Sequence, residues 1–248
     1  MVDTPHLLLL AGSAEGRALA TGLAGRDFRV TASLAVPGHW SGPLAVPTRT
    51  GGFGGEEGFV AFLRREKVTA VLDATHPFAT HMSLRSWNIC QAQDIPFLQI
   101  LRPCWTPRTQ DQWREVGSAR DATALIPPGA RVFVTTGRET LPDFVQNQDC
   151  RFFFRHLVDD PVDCDIKNVS YVTGKGPFSV DEEIATLRGL QIDLLICKNA
   201  GGELSRTKLD AARALDIPVI LLRRPPPIGA PVVQTVENAL EWVDRTCL

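Results

Sequence analysis

The chain has 248 residues, of which 44% are hydrophobic and 22% charged, with a formal net charge of -2 at pH 7. So balanced a charge supplies no global basic field for nucleic acid or an anionic membrane surface, and any anionic ligand must be met by local clusters. The length suits one large core or two smaller ones, and two fit the pattern below better.

The first apolar run, residues 7–11, follows Asp3 rather than a basic segment and is too short for a signal peptide or a membrane span. The protein is therefore read as cytoplasmic. In chain order, the pattern predicts a strand over 7–10, a helix over 14–24, a strand over 28–34, a helix over 56–67, a strand over 68–72, a helix over 77–93 and a strand over 96–101. This βαβα order implies a parallel sheet with right-handed crossovers. Residues 102–128, with prolines at 103, 107, 127 and 128, break the rhythm and read as a connection between domains plus an edge element around 113–116. The alternation resumes with strand 131–135, helix 141–146, strands 152–157 and 169–173, helix 179–188, strand 192–197, helix 204–215 and strand 217–222. After Pro225-Pro226-Pro227 a last helix over 236–245 closes the second half. The expected class is α/β, with two Rossmann-like domains, mainly parallel sheets and an active-site cleft between them.

Polar and glycine-rich clusters fall at the strand ends. The first strand runs into Ala11-Gly12-Ser13-Ala14-Glu15-Gly16-Arg17, where backbone N–H groups and a helix N-terminus could receive a pyrophosphate. With only Gly12 and Gly16 the match to G-x-G-x-x-G is partial, and a plain tight turn is the alternative. The second strand ends without the Asp or Glu that binds a ribose diol. Ser33 and Arg49 could instead face a 2′-phosphate, which favours NADPH. Four glycines then surround one aromatic in Gly51-Gly52-Phe53-Gly54-Gly55, a pattern suited to close backbone approach to a ligand. The strand at 68–72 ends in Asp73-Ala74-Thr75-His76-Pro77, with Pro77 expected at the first helical position. Asp73 reads as a structural tie. His76 reads either as a neutral imidazole bonded to a ligand, because the positive helix end disfavours the imidazolium, or as an N-cap.

In the second half, Thr136, Gly137 and Arg138 follow one strand, Lys175, Gly176 and Ser179 precede a helix, and Lys198, Asn199 and Gly201 follow another strand. Strand ends of a parallel sheet share one rim, so Arg138, Lys175 and Lys198, with Lys208 nearby, would suit a substrate carrying several carboxylates. The six cysteines form no C-x-x-C pair and have no regular His partner, so they read as reduced thiols and no metal is expected.

Taken in order, these motifs resemble those of the precorrin-6A reductase family of cobalamin biosynthesis, which includes cobalt-precorrin-6A reductases. The family shows a Gly-Gly-Thr-x-Glu-like first turn, Gly-Gly-Phe-Gly-Gly, Asp-Ala-Thr-His-Pro, Thr-Thr-Gly-Arg, Gly-Pro-Phe-Ser and Lys-Asn-x-Gly-Gly. Here Ala11-Gly12-Ser13 replaces the first triplet and Ala200 stands where Ser is common, and neither change removes a backbone donor. The resemblance implies an oxidoreductase acting on a CH–CH group, which delivers a hydride from NADPH to precorrin-6A and gives precorrin-6B. It implies residues 1–102 as the NADP-binding domain, holding the cofactor with Gly12, Ser13, Ala14, Glu15, Ser33, Arg49, Gly51, Gly52, Phe53, Gly54, Thr75 and His76. Residues 103–248 would contribute the rim for a polycarboxylate tetrapyrrole, with transient handover to neighbouring pathway enzymes. His76 is the one candidate catalytic group, and no obligatory protein acid is expected, because the nicotinamide carries the chemistry. The rival expectations are an NADH-dependent cobalt-precorrin-6A reductase, a uroporphyrinogen-III-synthase-like cyclase and a non-enzymatic dinucleotide sensor.

Overall fold

In the computed structural model, which describes residues 4–35, 42–157 and 164–247, strand β1 (His6–Ala11) is buried along its whole length. Leu7 and Leu9 point into one apolar cluster and Leu8 and Leu10 into another. A strand apolar on both faces belongs at the centre of a parallel sheet covered by helices on each side. The first unit continues through α1 (Ala14–Gly22), β2 (Arg29–Leu34), β3 (Thr48–Thr50), α2 (Gly55–Arg65), β4 (Ala70–Ala74), α3 (Thr80–Ala92) and β5 (Phe97–Ile100). The second unit comprises β6 (Trp113–Val116), α4 (Ala119–Thr123), β7 (Arg131–Val134), α5 (Leu141–Phe144), β8 (Arg151–His156), β9 (Val169–Thr173), α6 (Val180–Gly189), β10 (Leu194–Lys198), α7 (Thr207–Ala214) and β11 (Val219–Leu222). Short 3₁₀ turns lie at Arg138–Thr140 and Glu203–Ser205. The chain ends with β12 (Val232–Val233) and α8 (Val236–Cys247).

Two six-stranded sheets result, ordered β12-β5-β4-β1-β2-β3 and β6-β11-β10-β7-β8-β9, and each described pairing in them is parallel. In the first sheet the chain steps from β1 outward to β3 and then returns to β4 on the other side of β1. The second sheet repeats this from β7 out to β9 and back to β10. The expected α/β class of two Rossmann-like parallel sheets therefore stands, with strand-order reversals at β1/β4 and β7/β10, the places where open α/β sheets bind ligands. No helix among the described residues is long and apolar enough to cross a membrane.

The compact units differ from the expected split at residue 102. Residues from Pro225 onward return to the first unit, and the second is Cys104–Arg224. The physical reason is amphipathicity. Ala239, Val243 and Cys247, spaced one helical turn apart, join Leu7, Leu9 and Leu19 in one core, while β12 adds an edge strand beside β5. A Cβ on Gly22 would come within 2.9 Å of Leu240, so α1 and α8 pack closely. A second correction concerns α3, which starts at Thr80 with Ala79 as its N-cap. Pro77 is thus in the preceding turn, and His76 does not cap the helix.

At the opposite end of β1, His6 is 1% exposed, with Nδ1 bonded to the Glu66 carbonyl at 2.8 Å and Nε2 to the Thr31 hydroxyl at 2.8 Å. Burial lowers its pKa, against the opposing pull of the Glu66 carbonyl. Below about pH 6.5 the unfolded chain binds a proton that the folded state resists, so stability falls as pH drops through that window. Thermal unfolding between pH 7.5 and roughly 5.5 should show this decline, and His6→Gln should flatten it.

Candidate functional site

The carboxyl edge of the first sheet assembles three of the expected motifs. Register places Ala11 beside Ala74, Leu10 beside Ser33 and Ser33 beside Arg49, so the turns that follow share one edge. Ser13 caps α1, accepting from Gly16 N–H at 3.1 Å while its hydroxyl donates to Ala74 O at 2.8 Å. Its side chain therefore clamps β1 to β4 and is spent within the protein. Gly16 is held tight, since a Cβ there would meet Ala74 O at 3.2 Å. Gly12 is exposed, and a Cβ would lie 3.5 Å from Thr75 Cα, an ordinary contact, so packing alone does not demand glycine there. The first-turn N–H groups of Ala14 and Glu15 have no carbonyl within the helix to bond, which fits an anion. The Glu15 carboxylate is drawn aside by an ion pair with Arg102.

Asp73 is fully buried, accepting from Thr75 N–H at 3.0 Å and from Gln99 Nε2 at 3.1 Å, and burial raises its pKa despite these bonds. It ties the strand end, as the sequence suggests. Thr75 Oγ1 lies 3.2 Å from Ser83 Oγ. His76 Nδ1 accepts from Phe78 N–H at 3.3 Å, so the neutral ring carries its proton on Nε2.

Arg49 and Ser33 meet directly. One guanidinium nitrogen donates to Ser33 Oγ at 2.7 Å, another to Gly52 O at 2.8 Å, and the group lies 4.1 Å above the Phe53 ring. Phe53 is anchored in turn against Phe59 and Phe62 at 4.7 and 5.1 Å. Burial, and secondarily the Arg65 charge, lower the Arg49 pKa, but a guanidinium stays charged. Its partners among the described residues are a hydroxyl, a carbonyl and aromatic rings, so no carboxylate offsets its charge. Gly51, Gly54 and Gly55 have φ of 105°, 80° and 85° with open space where a Cβ would stand, so their role is conformational.

The second sheet presents its own edge. Thr136 is buried with its hydroxyl 2.5 Å from that of Thr140, and Gly137 takes φ 98° beneath the Glu139 carboxylate. Arg138 stacks over Tyr171 at 5.2 Å. Lys198, on the strand beside β7, is ion-paired to the exposed Glu139 at 2.5 Å. Lys175 is exposed on the loop after β9, next to Gly176.

Three expected contacts have structural duties in the fold. Asn199 accepts from Trp105 N–H at 2.8 Å and donates to Trp105 O at 3.1 Å, so its whole amide is spent fixing the entering chain. Ser179 is the N-cap of α6 in a reciprocal capping box with Glu182. Lys208 donates to Ser205 O and lies 5.7 Å from the Trp105 ring. Gly201, at φ 70°, sits in a loop whose Asn199 and Ala200 carbonyls accept from Arg224. Sequence reasoning missed Arg102, Arg224 and the buried Arg155–Glu183 pair at 2.8 Å. The one available signal was a charge inside the apolar run Phe152-Phe153-Phe154-Arg155.

Two doubly wound parallel units, each with glycine-bearing turns at its strand-order reversal, define an α/β protein of the type that takes nucleotides and charged small molecules at its carboxyl edges. A family model described as precorrin-6x reductase CbiJ/CobK matches residues 6–244. The chain is 38% identical over 243 residues to a precorrin-6A reductase of Rhodococcus erythropolis, covering 96% of this chain and 97% of the relative. It is 39% identical over 242 residues to one from Mycobacterium tuberculosis, covering 96% and 97%. A solved structure of CobK precorrin-6A reductase matches with a TM-score of 0.89 and 34% identity over 98% of each chain. The chain belongs to the precorrin-6x reductase CbiJ/CobK family.

The glycine loop also depends on a residue just outside it. A Cβ on Gly58 would stand 1.8 Å from Phe53 O, so α2 can meet the loop only with glycine there. Gly58→Ala should destabilise the fold by about 1–3 kcal/mol, the usual range for overpacking, read as a lower urea midpoint at unchanged m-value.

Proposed function

We propose that the protein reduces precorrin-6A to precorrin-6B with NADPH. Family membership supports the reaction, and the observation that carries the cofactor choice is Arg49, in β3 beside Ser33 of β2, a cation whose partners among the described residues are neutral. A 2′-phosphate would supply the missing anion, and an arginine fork matches it bidentately. When bound, the dinucleotide supplies the hydride. The first unit holds it through the Gly12, Ser13, Ala14 and Glu15 backbone at the pyrophosphate, Ser33 and Arg49 at the 2′-phosphate, and the Gly51, Gly52, Phe53 and Gly54 loop beside them. Thr75 and the Nε2–H of His76 orient the nicotinamide end.

The second unit binds the macrocycle. Arg138, Lys175 and Lys198 receive its acetate and propionate groups, with Thr136, Gly137, Gly176 and Gly201 shaping the backbone around them. Glu139, whose carboxylate is exposed, occupies the largely buried Lys198 until a substrate carboxylate displaces it, exchanging one charged partner for another. The protein's contribution to rate is then orientation, worth up to roughly 7–11 kcal/mol in well-oriented systems. On this reading the reaction is cytoplasmic and its product passes transiently to the next pathway enzyme.

Anaerobic turnover of the purified protein with precorrin-6A tests the proposal. Loss of nicotinamide absorbance should require the macrocycle and should be faster with NADPH than with NADH. Arg49→Ala should lower kcat/KM for NADPH by about tenfold or more while leaving NADH nearly unchanged, as expected for one charged hydrogen-bonded contact. Macrocycle-dependent oxidation with NADH preferred would reject the 2′-phosphate assignment, and oxidation only with the cobalt-containing macrocycle would reassign the substrate.

A further inference from the structure

The loop Gly174 to Ser179 sets its one aromatic ring, Phe178, on a buried charge. Arg155, on β8, is 7% exposed at its side chain and donates to the Glu183 carboxylate, itself 2% exposed, at 2.8 Å. Its guanidinium lies 4.0 Å from the centre of the Phe178 ring on one side and 5.0 Å from Phe133 on another. Above, the Phe178 ring covers Gly174, where a Cβ would come within 3.0 Å of the ring edge. The layers are therefore Glu183, Arg155, Phe178 and Gly174, and the loop that carries Lys175 closes over the top.

A buried ion pair is a poor way to gain stability, since an apolar pair of similar volume serves as well or better. What the pair offers over leucines is geometry: a planar cation fixed by a carboxylate presents one flat face at one height, and an aromatic ring seats on it in a defined position. Glu183 is also in the first turn of α6, the helix capped by Ser179, so the same carboxylate-bearing turn fixes both the pin and the end of the loop.

We propose that Arg155 and Glu183 form a buried pin which, through Phe178, positions the loop that presents Lys175 to the carboxylates of the substrate. This rests on the reading that the second unit binds the macrocycle. Arg155, Glu183 and Phe178 are positioning residues and touch no reacting atom.

Steady-state kinetics with precorrin-6A and NADPH on the full chain test it through a double-mutant cycle. Lys175→Ala and Phe178→Leu should each raise the macrocycle KM by about tenfold, the loss of one charged contact, with kcat within about twofold and the NADPH KM unchanged. The double variant should be no worse than Lys175→Ala alone, because Phe178 acts through Lys175. Arg155→Lys, which keeps the charge but not the flat face, should repeat the Phe178→Leu result. If Phe178→Leu does not fold, Gly174→Ala, whose methyl would come within 3.0 Å of the ring edge and force the ring to shift, replaces it in the cycle. A double variant whose effects multiply, or a macrocycle KM unchanged by displacing the ring, overturns the pin while leaving the reductase reading intact. Absence of macrocycle-dependent oxidation in the unsubstituted protein overturns that reading and the pin together.

Discussion

Parallel strand pairing is the constraint from which the rest follows. A parallel neighbour cannot be reached by a tight turn, so after each strand the chain leaves the sheet, crosses a face and re-enters at the same end. All carboxyl ends then gather along one edge, and the segments leaving that edge are free of ladder hydrogen bonds. Gly12, Thr75, Ser33 and Arg49 share one such edge, and Thr136, Lys198 and the loop after β9 share the other. The register of two strands is enough to bring Ser33 to Arg49, though sixteen positions separate them.

Charge divides along the same line. Inside the second unit, Arg155 meets Glu183 and Arg206 meets Asp111, each pair close to fully buried. An unpaired charge there would be expensive, and a paired one sets geometry more than it adds stability. At the carboxyl edges the rules change. Lys198 meets the exposed Glu139, and the partners of Arg49 among the described residues are neutral. The difference separates cations that build the protein from those that would meet an anion on the proposed reading, and it is visible only once partners are known.

That is also where the sequence stops being informative. The runs Leu7 to Leu10 and Phe152 to Phe154 announce buried strands, and the turn residues after them announce an edge, because period and punctuation are local properties. Ser33 was legible as the end of a predicted strand, but the three-residue β3 around Arg49 carried no strand pattern, and only its parallel register beside β2 brings the two side chains together. Asn199 and Ser179 have the look of ligand-binding polar residues, yet one clamps Trp105 and the other caps α6. A side chain that satisfies distant backbone groups leaves no local trace of doing so. Gly58 was equally silent, since its need for glycine comes from the Phe53 carbonyl folding back over α2.

The chain's route through its two units has a consequence for how the first one can form. Each sheet takes five strands from a compact run and a sixth from the passing chain, β6 ahead of β7 in one and β12 behind β11 in the other. The second unit is nonetheless contiguous, whereas the first needs both ends of the sequence. Until α8 arrives, the face of α1 and β1 that includes Leu7, Leu9 and Leu19 lacks Ala239, Val243 and Cys247 to cover it. Burial of a leucine or valine side chain is worth about 1.5–3 kcal/mol, so leaving that face uncovered forfeits a sizeable share of a domain's stability. The dinucleotide half of the proposed enzyme therefore cannot complete its core before the carboxylate-binding half has been made, and a cut at residue 102 severs a single hydrophobic core.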